Sequence, residues 1–96
     1  MSNISIPAVG QLVRVGSWVG VILDVFMSEA SDKHIVRINF VKNIYKQQPP
    51  ELHILEDIEN VLTIATAEDL QQEIERYEKR KQEELEALRD QVKVTV

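Results

Sequence analysis

The segment His34-Ile35-Val36-Arg37-Ile38-Asn39-Phe40-Val41 alternates apolar and polar residues more regularly than any other part of the chain. Successive side chains of a β-strand point to opposite faces, so this period of two predicts a strand with one buried face. The predicted core face consists of Val36, Ile38 and Phe40. Arg37 and Asn39 are expected to point outward from the other face.

Two strands are predicted on the N-terminal side of this segment. Residues 11–15 form the first, and the turn signal Gly16-Ser17 separates it from a long apolar strand at residues 18–27. Gly20 lies inside the long strand, where it predicts a bulge or sharp bend that lets a sheet curl over. A polar loop at residues 28–33 leads into the alternating segment.

Two shorter strands are predicted on the C-terminal side. The pair Pro49-Pro50 must leave the sheet or lie at its edge, because proline has no backbone N–H to donate. Residues 52–55 then form a fourth strand, residues 56–60 a turn, and residues 61–64 a fifth strand. Five short strands, one of them bent at a glycine, predict a small closed or half-closed antiparallel barrel.

The chain changes character near Thr66, after which it is rich in Glu, Gln, Lys, Arg and Leu. Thr66 and Asp69 form a capping box, with Asp in place of the usual Glu or Gln, that predicts the start of a helix. The apolar residues of its first turns recur on one side, at Leu70, Ile74 and Tyr77. One long charged helix over residues 66–91 is therefore expected to pack its first turns on the barrel and to extend into water.

The predicted organisation is a barrel domain at residues 1–65, the helix at residues 66–91 and a short tail at residues 92–96. The tail returns to a period of two. Two interpretations stay open for it: a strand that pairs with the sheet edge of a partner, or a frayed helix end or disordered tail. Lys81 and Glu84 interrupt the apolar stripe of the helix, which argues against a stable two-stranded coiled coil.

Composition bounds the class of protein. The chain of 96 residues has no cysteine, which excludes disulfides, thiolate nucleophiles and sulfur-ligated metal sites. Its N-terminus lacks the pattern of a signal peptide, and no apolar run approaches the ~20 residues that span a bilayer, so a cytoplasmic protein without a membrane segment is expected. The net charge of −5 at pH 7 is spread over both halves, which disfavours a strong field for phosphate backbones.

A family resemblance is carried by Gly10-Gln11-Leu12-Val13-Arg14-Val15, then Gly16, and then Gly20-Val21-Ile22-Leu23-Asp24-Val25. This pattern resembles the SH3-like small barrels of the KOW and Tudor type over about residues 8–65. The resemblance implies a barrel fold. It also implies binding of RNA or protein for a KOW-type module, or of modified side chains in an aromatic cage for a Tudor-type module. The chain has Ser17-Trp18-Val19 where the KOW turn usually carries basic residues.

Motifs of catalysis are missing from the sequence. It contains neither a P-loop nor a Gly-x-Ser-x-Gly nucleophile elbow. His34 and His53 are the only imidazoles, and neither has a second ligand at the spacing of a metal site. His34 is interpreted as a solvated residue at a loop edge, and His53 as an outward-facing strand residue. The prediction is a protein that is not an enzyme and that holds no metal or cofactor.

The candidate partner-binding surface lies on the predicted barrel. Arg14, Arg37 and Asn39 are expected to point outward from neighbouring strands, with Asp24 between them. They either form cross-strand ion pairs or make up a polar recognition patch bordered by Trp18. Trp18, the one tryptophan, either lies half exposed as a binding hot spot or plugs one end of the barrel.

A second candidate surface is the basic and aromatic cluster of Lys42, Tyr45 and Lys46. Such a set can hold a phosphate and stack a nucleobase, and its alternative interpretation is a solvated loop. The function predicted from the sequence is a non-catalytic adaptor, a monomer or weak homodimer, that binds a partner protein through the barrel surface and the C-terminal helix. The alternative is a KOW-like nucleic-acid-binding accessory protein that uses Arg14 and Arg37 together with this cluster.

Overall fold

The computed structural model describes the backbone of residues 6–95 and the side chains of residues 6–91. Within this range, five strands form one antiparallel sheet in the order β4-β3-β2-β1-β5. The strands are β1 (Leu12–Val15), β2 (Trp18–Met27), β3 (His34–Phe40), β4 (Glu51–Ile54) and β5 (Leu62–Ile64). The predicted five-stranded antiparallel sheet is confirmed, and it is open, with β4 and β5 at its two edges.

The described part of the chain also contains the helices α1 (Val41–Tyr45), α2 (Leu55–Ile58) and α3 (Ala67–Thr95). Only α3 was expected from the sequence. Each short helix begins at an apolar residue that was predicted to end a strand, Val41 for α1 and Leu55 for α2, and both residues are buried. Helices of this length are not stable on their own, so packing on the sheet stabilises them rather than local propensity.

Among the described residues, none of the helices combines the length and the apolar character that a membrane span requires.

The core lies on one face of the sheet, here called the inner face. Its fully buried side chains come from β1, β2, β3 and α2, and they are Val13, Ile22, Val36, Ile38, Phe40 and Leu55. Four partly buried residues pack against them, namely Val15, Val25, Ile58 and Leu62. The core face predicted for β3 is therefore confirmed. Fully burying an aliphatic or aromatic side chain contributes about 1.5–3 kcal/mol, so this cluster is the main source of stability.

Strand β2 has its bulge at Leu23 rather than at Gly20. The pairing of β2 with β3 shifts by one residue between Ile22 and Asp24, which leaves Leu23 as the extra residue of a bulge. Gly20 has a different role, because a Cβ atom there would lie 2.8 Å from the carbonyl oxygen of Asn39 and 2.9 Å from Phe40 Cα. The predicted position of the bulge is wrong, and Gly20 instead permits the close approach of β2 and β3.

Helix α3 begins at the predicted capping box. The Thr66 N–H donates to Asp69 Oδ2 at 2.9 Å, and the Asp69 N–H donates to Thr66 Oγ1 at 3.1 Å. Tyr77 is buried, whereas every side chain from Glu78 to Gln91 is exposed. The helix continues through Thr95, so the described part of the alternating tail is helical, and Val96 lies outside the described residues.

Candidate functional site

The sheet has an outer face opposite the core, and helices α1 and α3 cover only part of it. Register places Arg14 beside Val19 on this face, and it places Arg37 beside Asp24 farther along the same face. Asn39 follows Arg37 by two residues on the same strand and shares its side of the sheet. Arg14, Arg37 and Asn39 therefore do point outward, but the structure gives each of them a different environment.

Arg14 lies against the start of α3. Its guanidinium is 3.1 Å from Asp69 Oδ1, the carboxylate of the capping box. Hydrogen bonds from Thr66 lower the pKa of Asp69, and the charge of Arg14 lowers it further. Arg14 thus connects β1 to the first turn of α3, and its charge is already paired within the chain.

A buried carboxylate fixes α3 on the sheet. Glu73 is 4% exposed, and its Oε2 accepts a hydrogen bond of 3.1 Å from the backbone N–H of Val19. Strand β3 pairs with β2 only from Gly20 onward, so Glu73 takes the place of a strand partner at Val19. Arg76 donates to the other carboxylate oxygen. Glu73 lies between Leu70 and Ile74 on the packed side of the helix. A carboxylate at this position in the apolar stripe is the one sequence signal of its buried role, and the sequence did not lead us to expect that role.

The uncovered half of the outer face carries four apolar side chains on β2, β3 and β4. This cluster, here called the outer-face patch, consists of Phe26, Ile35, Leu52 and Ile54. Leu52 is 62% exposed and Phe26 is 48% exposed. Arg37 and Asp24 form an ion pair in the neighbouring row, and Leu52 pairs in register with Arg37. The patch therefore borders a cross-strand ion pair, and Phe26 and Leu52 are its exposed members.

The patch exists because the faces of β4 are opposite to those predicted. His53 pairs in register with the core residue Val36, and its ring meets the Phe40 ring edge-on at a centroid distance of 6.1 Å. The outward assignment of His53 is therefore wrong. His53 Nε2 lies 3.0 Å from Glu51 Oε1, and this hydrogen bond gives the imidazole a polar partner on the core side. Leu52, on the other side of the strand, points to solvent.

Trp18 and Lys42 form part of a polar rim at one end of the core. The Lys42 Nζ atom lies 4.7 Å from the centre of the Trp18 ring and 3.1 Å from Glu51 Oε2. Partial burial opposes ionisation of Glu51, but its contacts with Lys42 and His53 and the nearby side chain of Asn43 outweigh this effect and lower the pKa of the carboxyl. Trp18 is about one-third exposed, and the ammonium of Lys42 occupies a position over its ring.

The rim makes folding stability depend on pH. Because the pKa of Glu51 is lower in the folded chain, its contribution is present at neutral pH and is lost as pH falls below the ordinary glutamate value of about 4.3. We expect Glu51→Gln to lower the free energy of unfolding at pH 7 by about 1 kcal/mol. Urea denaturation at pH 7 and pH 3 measures this, and the variant should lose less stability on acidification than the parent chain. The exposed Glu59 provides the control, since Glu59→Gln should leave both values within about 0.5 kcal/mol.

A cleft between α1 and α3, here called the tyrosine cleft, has a volume of about 330 Å³. Its lining residues are Tyr45, Lys46, Tyr77, Arg80, Lys81 and Glu84. The rings of Tyr45 and Tyr77 are stacked, with centroids 5.5 Å apart and 17° between their planes. Compared with the cluster predicted from the sequence, the cleft keeps Tyr45 and Lys46, lacks Lys42 and gains three charged residues of α3.

Hydrogen bonding and stacking fix the rings of the tyrosine cleft. The Tyr45 hydroxyl donates to Glu78 Oε1 at 3.0 Å, and burial together with this carboxylate raises the pKa of Tyr45. The guanidinium carbon of Arg80 lies 5.6 Å from the centre of the Tyr77 ring. Tyr45 therefore stays a neutral donor at neutral pH, and Arg80 is held beside the opening by its aromatic neighbour.

An apolar groove of about 380 Å³ lies between the outer face and α3. Apart from Asn39 and Tyr45, its lining is apolar and consists of Leu12, Gly20, Val21, Val41, Ile44, Leu70 and Ile74. Tyr45 lines both the groove and the tyrosine cleft. The groove exists because α3 lies at a certain distance from the sheet. This distance could not be predicted from any local pattern in the sequence.

His34 is held by α2. Its Nδ1 atom lies 2.8 Å from Glu56 Oε2, and its backbone N–H donates to Glu56 Oε1 at 3.0 Å. The hydrogen bond with His34 lowers the pKa of Glu56. The interpretation of His34 as a solvated residue is therefore wrong, because the carboxylate of Glu56 covers it. Among the residues described, no three His, Asp or Glu side chains are grouped so that they could hold a metal ion.

The described residues thus present three surfaces of interest: the outer-face patch, the tyrosine cleft and the apolar groove. Their chemistry carries more information about function than the fold does, since one fold supports many functions. The chain matches no protein-family model, and its comparison with curated proteins and with solved structures gave no significant match.

Proposed function

We propose that this protein is a non-catalytic adaptor that binds a partner protein through the outer-face patch. The observation that supports this function is the exposure of Phe26 and Leu52 on one face, beside Ile35 and Ile54. Apolar side chains that adjoin one another on a protein surface can mark a site of protein interaction. The side chains stand on three paired strands, so the surface is rigid and costs little conformational entropy to dock.

The ion pair beside the patch fits a protein partner. Interfaces between proteins combine a buried apolar centre with arginine and with a polar rim. Arg37 and Asp24 supply one charge of each sign beside the patch, so the ion pair adds no net charge to this surface. A partner surface of mixed apolar and polar groups would complement this arrangement, whereas a phosphate backbone would gain no net charge from it.

Charge pairing also favours this function over the nucleic-acid alternative. Three of the cations assigned to that alternative are paired within the chain, as Arg14 with Asp69, Arg37 with Asp24 and Lys42 with Glu51. Neutralised cations release few counterions from a nucleic acid, and counterion release supplies most of the affinity in such complexes. The nucleic-acid function stays a prediction.

For the fold, we propose an SH3-like half-barrel as the finer description of the open sheet. Support comes from β2, which pairs with β1 through its first residues and with β3 from Gly20 to Met27, and which has a bulge at Leu23 within the pairing with β3. A strand shared in this way lets a sheet curl around its inner face.

The C-terminal part of α3 supplies a second candidate surface for the partner protein, where Leu85 and Leu88 are both more than half exposed.

The patch is tested with two matched double variants. Phe26→Ser/Leu52→Ser removes side chains that are 48% and 62% exposed, and the control Val61→Ser/Ile64→Ser removes side chains that are 49% and 61% exposed. Each full chain is used for affinity purification from the native host, with circular dichroism as the check of folding. We expect the patch variant to recover its partner at least about tenfold less well than the parent chain, and the control to recover it normally.

Two results would contradict the proposed function. The first is equal recovery of the partner by both double variants. The second is a parent chain that is recovered alone and that sediments as a monomer, since an adaptor must hold a second protein. A parent chain that associates with itself through the patch would identify a second copy as the partner, and sedimentation of the two variants would show it.

A further inference from the structure

The apolar groove and the tyrosine cleft follow one another along α3 and have Tyr45 in common. Leu70 and Ile74 line the groove, and Tyr77 and Lys81 line the cleft. Each cavity has a volume at the lower end of the range for small-molecule pockets, about 300–1,000 Å³. We propose that the two cavities form one site for a long-chain fatty acid, with the hydrocarbon chain in the groove and the carboxylate in the cleft.

The lining of the groove selects a hydrocarbon chain rather than a peptide. A peptide brings an N–H and a C=O group with every residue, and each such group needs a partner when it leaves water. The groove offers polar side chains only at Asn39 and Tyr45, and the Tyr45 hydroxyl already donates to Glu78. A hydrocarbon chain needs no partner, and its burial against Val21, Ile44 and Ile74 is favourable in itself.

The lining of the cleft selects a negatively charged end group. Lys46, Arg80 and Lys81 line it, and within the part of the chain that the structure describes none of them lies in an ion pair. Glu84 is the one carboxylate among the lining residues. The contact of Arg80 with the Tyr77 ring positions its guanidinium, which can hold a carboxylate through two parallel hydrogen bonds.

The first experiment is a titration of the isotope-labelled full chain, followed by amide chemical shifts. The probes are octanoate, decanoate and dodecanoate, all kept below their micelle-forming concentrations, with 1-decanol as the uncharged counterpart. We expect saturable shifts at the amides of Val21, Ile44 and Ile74. Affinity should rise about fourfold for each added methylene, as burial of a CH₂ group predicts.

The second experiment separates the charged end from the chain. Arg80→Gln/Lys81→Gln should weaken decanoate binding about tenfold and leave 1-decanol unchanged, because only the carboxylate uses these cations. Lys79→Gln/Arg89→Gln is the matched control, since it removes the same charge from side chains of α3 that do not line the cleft. Ile44 is 58% exposed, so Ile44→Ser should fold normally and weaken both probes.

Several results would overturn this inference. They are the absence of saturable binding by dodecanoate, equal affinity for decanoate and 1-decanol, and shifts confined to the outer-face patch. Displacement of decanoate by an acidic amphipathic peptide or a single-stranded oligonucleotide that binds more tightly would assign the site to that ligand instead. Failure of decanoate and dodecanoate to bind would leave the adaptor function untouched, because the patch and the groove use different side chains.

Discussion

Replacing Gly20 by alanine is expected to lower the free energy of unfolding by about 3 kcal/mol, at the upper end of the cost of forcing a methyl group into a packed interior. The added Cβ would lie 2.8 Å from the Asn39 carbonyl oxygen and 2.9 Å from both Phe40 Cα and Phe40 Cδ1. Two of these atoms belong to the backbone of β3, so no side-chain rotation can relieve the contact. The strands themselves would have to separate above the buried Phe40 ring.

Urea denaturation followed by Trp18 fluorescence and by circular dichroism measures this effect. Gly16→Ala is the control, because a Cβ atom there meets nothing within 4 Å but the residue has a φ of +62°. Its cost arises from the left-handed backbone alone and should be about 1 kcal/mol. A larger loss for Gly16→Ala than for Gly20→Ala would contradict the close approach of β2 and β3.

Replacing Glu73 by alanine is expected to cost about 2 kcal/mol and to release the first turns of α3 from the sheet. The substitution removes the acceptor of the Val19 N–H and leaves this buried donor without its helix partner. It also removes the carboxylate that Arg76 contacts. Limited proteolysis within α3, together with the fluorescence of the neighbouring Trp18, reports undocking separately from global unfolding.

Glu73→Gln distinguishes the hydrogen bond from the charge. The amide oxygen of glutamine can still accept from the Val19 N–H, whereas the ion pair with Arg76 is lost. Arg76 is about half exposed, and exposed ion pairs contribute little, so the glutamine variant should lose less than about 1 kcal/mol. If the glutamine variant is as unstable as the alanine variant, the charge of Glu73 holds the helix rather than its hydrogen bond.

The groove offers an independent check of the same contact. Leu70 and Ile74 flank Glu73 and form the helix side of the groove, so release of α3 would open this cavity to water. Glu73→Ala should therefore bind decanoate more weakly than Glu73→Gln does. This order follows from geometry, because neither substitution changes a lining side chain of the groove.

Local sequence patterns predicted β2, the start of α3 and the core face of β3 correctly. In each case one local physical constraint was stronger than the others. Strand β2 begins and ends at the residues expected, because its apolar and β-branched run is bounded by a glycine turn and a polar loop. The capping box of Thr66 and Asp69 forms as expected, since both partners lie within one helical turn. The core face of β3 was also correct, because its alternation has only one register that buries Val36, Ile38 and Phe40.

The orientation of β4 shows why the candidate site could not be predicted in the same way. Leu52 and Ile54 have the character of core residues, and His53 between them has the character of a surface residue. Polar partners reverse this assignment, because Glu51 binds His53 on the inner side and Leu55 of α2 fills the core in place of Leu52.

Residues a few positions apart were enough to predict the strand segments, the interior of β3 and the first turn of α3, because each of these features is local. The packed fold was needed to show which cations stay unpaired, which face of β4 meets water, and where the sheet and α3 leave a groove between them. Those features depend on side chains far apart in the chain, as with Val19 and Glu73 or Tyr45 and Tyr77. A period of two or of 3.6 residues carries no information about such partners, since it describes one element at a time.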